Sequence, residues 1–328
     1  MNLDKAITAI TYKPNKSLKL PFLVLLISST YISTTSAHNI SVGYSQLTQY
    51  VNVLDQSIQV KPVGTSIAVS FDLAEQWQVS IDYQQHQNDE NYQNNADVSV
   101  DLSTVGAGIS YFTDDFSYSL YYSKSNDDFS VISQQNSQNK QVEEDQSSLI
   151  SASVDYAWGE QQWFYNASLT LLYNKFDNNT LISKQNFDQQ HQRMFLEKFN
   201  QQNNGNYTML SSGASAAYMW SLSNDKVIIL GSMLSWSYQL SGDSQANNDS
   251  TMRVRNSSTR NSTSRVNTGT RTAGQINNTL NGDDNYGQLV IYTAYDLTST
   301  LSLDVDFTKN VATQNNEQSW SVGLSYSF

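Results

Sequence analysis

The chain of 328 residues has no cysteine, only three prolines and few charges, with Asp, Glu, Lys and Arg making up 15% of it. The missing thiols exclude disulfides, thiolate metal centres and cysteine nucleophiles. Three Pro and 14 Gly exclude a collagen-like or proline-rich chain. Soluble globular domains carry about 25% charged residues, so many polar surfaces here must be built from uncharged groups. Positive charge is the scarcer sign: 18 Lys and Arg stand against 30 Asp and Glu, for a net charge of −12. Such a balance does not suit nucleic-acid binding. Beyond the N-terminal region no stretch approaches the roughly 18 apolar residues of a transmembrane helix.

What the chain does have is aromatic side chains, 12% of it, with 20 Tyr among them; a disordered chain lacks these. At the N-terminus a basic stretch, "KPNKSLKL", precedes an apolar one, "PFLVLLISSTYI", and a small polar one, "STTSA". This is the three-part layout of a secretory signal. Cleavage is expected after Ala37, leaving residues 38–328 as a single mature domain. The apolar run is too short to span a bilayer, which takes about 20 residues. No Cys follows the site, so a lipoprotein is not expected. Loss of residues 1–37 removes four Lys and one Asp and moves the net charge from −12 to −15.

The mature sequence repeats one unit: strand, short turn, strand, long polar loop. "SIAVSFDL" leads through "AEQ" to "WQVSIDYQ", and "GISYF" leads through "TDD" to "FSYSLYYS". Three more such pairs follow, joined by "WGEQQ", "SLSND" and "LTST". With "NISVGYSQLTQ" at the start and "SWSVGLSYSF" at the end, the count is twelve strands, most of them carrying the period-two alternation of a strand with one apolar face. In "VSVDLSTVGAGISYF" the apolar parity switches near Ser103, which predicts a bulge. Short connections alternate with long ones, the longest expected at about 126–146, 175–207 and 241–285. Within the second, Phe187, Met194, Phe195 and Phe199 approximate the stripe of a short amphipathic helix.

That alternation of loop lengths has a physical reading. Lipid cannot satisfy a free backbone N–H or C=O, so a sheet that crosses a membrane must close on itself. Its turns are short on one side and its loops long on the other, and its strands are even in number. The apolar sets Ile67, Val69, Phe71, Leu73; Trp77, Val79, Ile81, Tyr83; Phe116, Tyr118, Leu120, Tyr122; and Leu301, Leu303, Val305, Phe307 would face lipid. Trp77, Phe112, Phe116, Trp158, Trp163, Trp220 and Tyr295 lie next to turns, where an interfacial aromatic girdle belongs. The fold expected is all-β: a closed antiparallel transmembrane β-barrel of about twelve strands.

The last strand carries one more signal. Trp320, Val322, Leu324, Tyr326 and Phe328 share a face, and the chain ends on Phe328. "SWSVGLSYSF" resembles the C-terminal strand of bacterial outer-membrane β-barrel proteins, including porins and the twelve-stranded translocator barrels of autotransporters. The resemblance spans about ten residues. It implies residence in the outer membrane, among its lipid and lipopolysaccharide, and recognition of Tyr326 and Phe328 by the barrel-assembly machinery. The first strand begins a few residues after the expected cleavage site. That leaves no room for a passenger domain, so passenger translocation is not expected.

Candidate functional residues are few. Asp72, Asp82, Asp155, Asp304 and Asp306 sit on the polar parity of their strands. Carboxylates are costly in lipid, so they are expected in the lumen, where they would bias a pore toward cations. Between Thr251 and Asn281 lie Arg253, Arg255, Arg260, Arg265 and Arg271, and that stretch contains no acid. This segment has three readings: a cationic constriction over the acidic lumen, a plain surface loop, or a contact to lipopolysaccharide phosphates. His86 shares parity with Asp82 and is the residue on which a barrel hydrolase would rest, but no Ser or Asp pair accompanies it in sequence. Glu143, Glu144 and Asp145 could meet calcium or be a solvated run. No cofactor, transition-metal site or catalytic residue is expected. The leading expectation is a passive, porin-like channel for small solutes. The alternative is a closed barrel serving adhesion or envelope integrity, and a lipid- or peptide-cleaving barrel enzyme comes third.

Overall fold

A computed structural model describes residues 38–53, 56–92, 96–133, 140–188, 193–222, 226–242, 256–258, 276–278, 285–311 and 318–328. The expected signal (1–37) and the five arginines lie outside them. Twelve long strands form the barrel: β1 His38–Val53, β2 Val63–Ala74, β3 Trp77–Tyr92, β4 Ala96–Phe112, β5 Phe116–Ser133, β6 Lys140–Glu160, β7 Trp163–Asp188, β8 Arg193–Ser221, β9 Val227–Gly242, β10 Asn285–Asp296, β11 Leu301–Val311 and β12 Gln318–Ser327. Each pairs antiparallel with the next, and β12 returns to β1 from Asn39↔Ser327 to Thr48↔Gln318. The closed ring leaves no free edge at membrane depth, as a low-dielectric surrounding demands. A short segment, Gln56–Val60, folds back on the far end of β1, and Asn256–Ser258 pairs with Ile276–Asn278.

The strands alternate as the period-two pattern requires. On β5, Tyr118, Leu120 and Tyr122 are exposed, while the interleaved Tyr121 and Ser123 are buried, at 1% each. Leu120 at 53% exposure and Leu234 at 55% show how openly the outer face presents apolar groups. Such a belt is unfavourable in water, and burying it in hydrocarbon is favourable by about 25 cal/mol per Å². At the short-turn end, aromatic rings meet in a nearly continuous chain across β3 to β8. Trp77 packs on Tyr111, Phe116 on Tyr156, Tyr156 on Trp158, Trp158 on Tyr165, Trp163 on Tyr218 and Tyr218 on Trp220, with centroids 4.5–5.5 Å apart. This is a girdle at the height where amphipathic rings are favoured.

Three expectations change. The segments 126–146 and 175–207 read as loops from composition, but most of their described residues are paired strand: β5–β6 register runs to Ile132↔Lys140, and β7–β8 register to Asp188↔Arg193. Backbone polar groups there gain ladder partners that a loop would not offer. The helical stripe is not a helix: Phe187, Met194, Phe195 and Phe199 lie on β7 and β8, and no helix occurs among the described residues. The bulge near Ser103 is absent too, since β4 keeps one register with β3 and β5 throughout. Its apolar parity switches because its surroundings do. Near the short turns Val105 and Ile109 face outward, whereas farther along Val98, Val100 and Leu102 face inward and are buried. Register shifts occur instead between Asp72 and Ala74, and between Gln239 and Ser241.

A bilayer crossing takes about 9–11 strand residues. At 26 and 29 residues, β7 and β8 run far past it, so β5–β8 stand as a tall sheet on one side. On the lumen side of this outer region sit two apolar clusters. Leu47, Val60, Val98, Val100, Leu102, Phe129 and Val131 form one; Phe176, Tyr207, Met209 and Leu172 form the other.

Candidate functional site in the barrel lumen

The alternation that sends Leu120 outward sends carboxylates inward. Asp82, Asp155 and Asp304 are buried, and Asp72 and Asp306 are half-buried. Each meets a polar neighbour contributed by an adjacent or nearby strand. Gln78 Nε2 donates to Asp72 Oδ1 at 2.7 Å. Ser117 Oγ donates to Asp155 at 3.5 Å, Ser321 Oγ to Asp306 at 2.6 Å and Ser325 Oγ to Asp304 at 3.2 Å. The Tyr121 hydroxyl reaches both oxygens of Asp82 at 3.0 Å. Hydrogen bonds of this kind hold carboxylate oxygens in place and offset part of their desolvation. Gly106, on β4 between β3 and β5, makes room for the Tyr121 ring: a Cβ there would fall on the phenol and close to Asp82.

The wall around these groups is one-sided in charge. Lys124, Lys175 and Lys309 take the same strand parity as Tyr122, Tyr173 and Phe307, which face outward. Among the described residues, no Lys or Arg takes lumen parity within the first dozen residues from the short turns. Five carboxylates spread over β2, β3, β6 and β11 thus share a stretch of lumen wall whose described basic side chains point the other way.

A second constellation is not legible in the sequence. Ser45 Oγ lies 2.7 Å from His86 Nε2, and Gln84 Nε2 lies 3.4 Å from His86 Nδ1. Ser45 and His86 come from β1 and β3, with Gly64 of β2 registered between them. Only a residue without a side chain lets the hydroxyl reach across; a Cβ on Gly64 would collide with the His86 ring. The arrangement has a nucleophile and a base in contact, yet Ser45 is 6% and His86 3% exposed, and the neighbouring Gln84 amide nitrogen, 3.3 Å from Nε2 and 3.4 Å from Nδ1, is not the carboxylate that would orient a base. A serine nucleophile must reach its substrate and its base must be oriented. This pair meets neither need and serves as a satisfied polar contact linking three strands.

Farther out, alternation separates the acidic run. Glu143 and Asp145 are buried on lumen parity while Glu144 is exposed on the opposite face, so the three carboxylates do not converge on one cation. Asn178 Nδ2 donates to Glu143 Oε1 at 2.9 Å. No group of three or more His, Asp or Glu suited to a metal occurs among the described residues.

No protein-family model and no curated protein matches the sequence. Solved structures do. The translocator domain of the autotransporter NalP from Neisseria meningitidis superposes with a TM-score of 0.55 at 10% identity, covering 94% of each chain. The beta domain of the Bordetella autotransporter BrkA gives a TM-score of 0.55 at 12% identity, covering 89% of this chain and 100% of that one. The protein has the fold of a bacterial outer-membrane β-barrel. A looser likeness, with a TM-score of 0.45 at 8% identity, is to the COG4313 outer membrane channel from Pseudomonas putida F1, covering 90% of this chain and 97% of that one. Closure through β1 and β12, the outward apolar belt and the interfacial rings are the features that suit this barrel fold to spanning a membrane.

Proposed function

We propose that this outer-membrane barrel is a narrow, passive, cation-preferring channel for small solutes. The observation that carries the reading is the lumen wall, where Asp72, Asp82, Asp155, Asp304 and Asp306 are hydrogen-bonded and the described lysines of the same stretch take the outward parity. Lining charge of one sign raises the local concentration of the opposite ion. No chemical step is assigned to the protein, and no cofactor enters the reading. The arginines 253, 255, 260, 265 and 271 act in this proposal as a counter-charge that limits the acidic passage.

Planar-bilayer recordings under a KCl gradient test it. The expected reversal potential is on the cation side, and Asp82→Asn with Asp155→Asn and Asp306→Asn lowers the K⁺/Cl⁻ permeability ratio by about threefold or more. Replacement of the five Arg by Ser raises that ratio. Absence of unitary currents, together with no swelling of proteoliposomes in neutral sugars, would reject the channel.

One observation favours a second reading. The apolar clusters on the lumen side and the tall β5–β8 sheet fit a closed barrel that presents a surface for contacts outside the cell. The currents decide between the two. Tyr326 and Phe328, outward-facing and stacked with centroids 5.8 Å apart, fit a signal read by the barrel-assembly machinery. The folded yield of Phe328→Ala in cells checks that role.

A further inference from the structure

Three lysines share a local pattern. Tyr122-Ser123-Lys124, Tyr173-Asn174-Lys175 and Phe307-Thr308-Lys309 each place an aromatic ring and a lysine two residues apart on a strand. A separation of two puts both on one face, and that face is the outward one: Tyr122, Tyr173 and Phe307 are exposed on it. In every case the lysine lies on the long-loop side of the ring. The height is the outer interface, where rings sit at headgroup level and a lysine stem can run along apolar surface while its ammonium reaches the polar layer.

Two of these triplets are brought together by the barrel. Register places Lys124 opposite Ser148 and Ser148 opposite Lys175, and below them Tyr122 opposite Ile150 and Ile150 opposite Tyr173. The two lysines are therefore two strand spacings apart, about 10 Å, with a serine between them. Tyr122, Ile150 and Tyr173 form an exposed apolar floor at 47%, 48% and 42%. On the long-loop half of β4–β7, outward carboxylates among the described residues occur only on the water side of this row, at Asp177 beside Lys175 and then at Asp97, Asp101, Asp128 and Glu144. The outer face thus runs from apolar, through cationic, to acidic as it leaves the membrane.

We propose that Lys124 and Lys175, with Ser148 and the floor of Tyr122, Ile150 and Tyr173, form a binding site for a phosphorylated lipid of the outer leaflet. The ammonium groups meet its phosphates, Ser148 lies between them, and the acyl chains lie along Tyr122, Ile150 and Tyr173. The order of charge decides the ligand class. A neutral lipid has no use for two cations at this level, and a soluble anion has no use for the apolar floor. The acids farther out disfavour an anionic protein partner approaching from solution. The site is on the outside of the barrel and stands whether or not the lumen conducts.

The test is native mass spectrometry of the full chain in detergent, with added diphosphoryl lipid A as the probe and its monophosphoryl form for comparison. The unmodified protein is expected to retain the diphosphoryl form more tightly. Each lysine near a charged lipid surface is worth roughly fivefold in affinity, so K124Q with K175Q lowers retention by roughly 25-fold. K124R with K175R keeps the charge and holds retention near that of the unmodified protein. Lys140→Gln, at the far end of β6, leaves it unchanged. Folded protein is separated first by its heat-modifiable gel mobility, so every comparison is made on closed barrels. Equal retention of the two lipid forms, or undiminished retention by the double Gln variant, would overturn the site. Bilayer currents are unaffected by either result, so this outcome and that of the channel proposal are read separately.

Discussion

Leu120→Arg is expected to destabilise the folded barrel by about 2–4 kcal/mol, the penalty for an arginine near the bilayer midplane on a barrel's lipid face. Leu120 lies on β5, 53% exposed, opposite Ala152 on β6 and Ile109 on β4. A crossing of about 9–11 residues that starts at Phe116 puts it near mid-depth. Nothing polar on that face can receive a guanidinium without leaving the hydrocarbon. Ser119, one residue earlier, faces the lumen and shares a 2.9 Å hydrogen bond with Ser110. Ser119→Asn keeps a polar group there and should shift stability by less than about 1 kcal/mol. Denaturant titrations of protein folded into phosphatidylcholine vesicles measure both. If Leu120→Arg left the midpoint where it was, the outer face would not be in lipid, and the membrane-spanning reading would fail.

The second large effect concerns Gly106. Gly106→Val is expected to destabilise the barrel by about 3 kcal/mol, the upper part of the usual range for overpacking. The new side chain would enter the space of the Tyr121 ring, which is 1% exposed and cannot swing into free volume. The displaced hydroxyl would leave Asp82, so a loss of a charge-assisted hydrogen bond of about 1–3 kcal/mol accompanies the clash. Tyr121→Phe isolates that hydrogen-bond component. Tyr121→Ala removes the ring with which the introduced isopropyl group would collide, so Gly106→Val in that background should be far milder than alone. Additive behaviour in this double-mutant cycle, measured by the same vesicle titrations, would show that the two sites do not share the space argued here. Tyr121→Ala also empties a ring's volume from the lumen beside Asp82, and a rise in single-channel conductance is the matching expectation for a conducting barrel.

Much of the architecture was legible because the information is local. Period-two alternation in "FSYSLYYS" or "LSLDVDF" depends only on the geometry of a single strand, so it identifies the strand and separates Leu120 from Ser119 without knowledge of any neighbour. Turn signals such as "TDD" likewise act within a few residues: the Thr113 amide donates to the Phe116 carbonyl at 2.7 Å, and the Phe116 amide donates to Thr113 Oγ1 at 3.0 Å. Twelve such strands with an apolar outer face, and no helix among the described residues long and apolar enough to cross a membrane, leave closure into a barrel as the way to satisfy every backbone group in lipid.

Local pattern misleads where the surroundings change along one strand. In "VSVDLSTVGAGISYF" the shift of parity resembles a bulge, but it marks the level at which β4 leaves lipid and its inward face begins to bury Val98, Val100 and Leu102. The Gln- and Asn-rich stretch at 175–207 has little apolar alternation to read, although Phe176 and Tyr207 at its ends are buried. Polarity alone suggests a loop, and neighbouring backbone supplies the strand.

Period-two reading of this sequence alone determined strand number, face and the side on which Asp72, Asp82, Asp155, Asp304 and Asp306 lie, because a pleated strand alternates whatever it pairs with. Which side chains meet was decided only by the closed barrel. Register across three strands joins Ser45 to His86 over Gly64, sets Tyr121 on Asp82 beside Gly106, and lines Lys124 up with Lys175. Those contacts depend on the relative shift of strands as far as 51 residues apart in the chain, from 124 to 175, and a one-residue slip, invisible to any single strand, would dissolve all three.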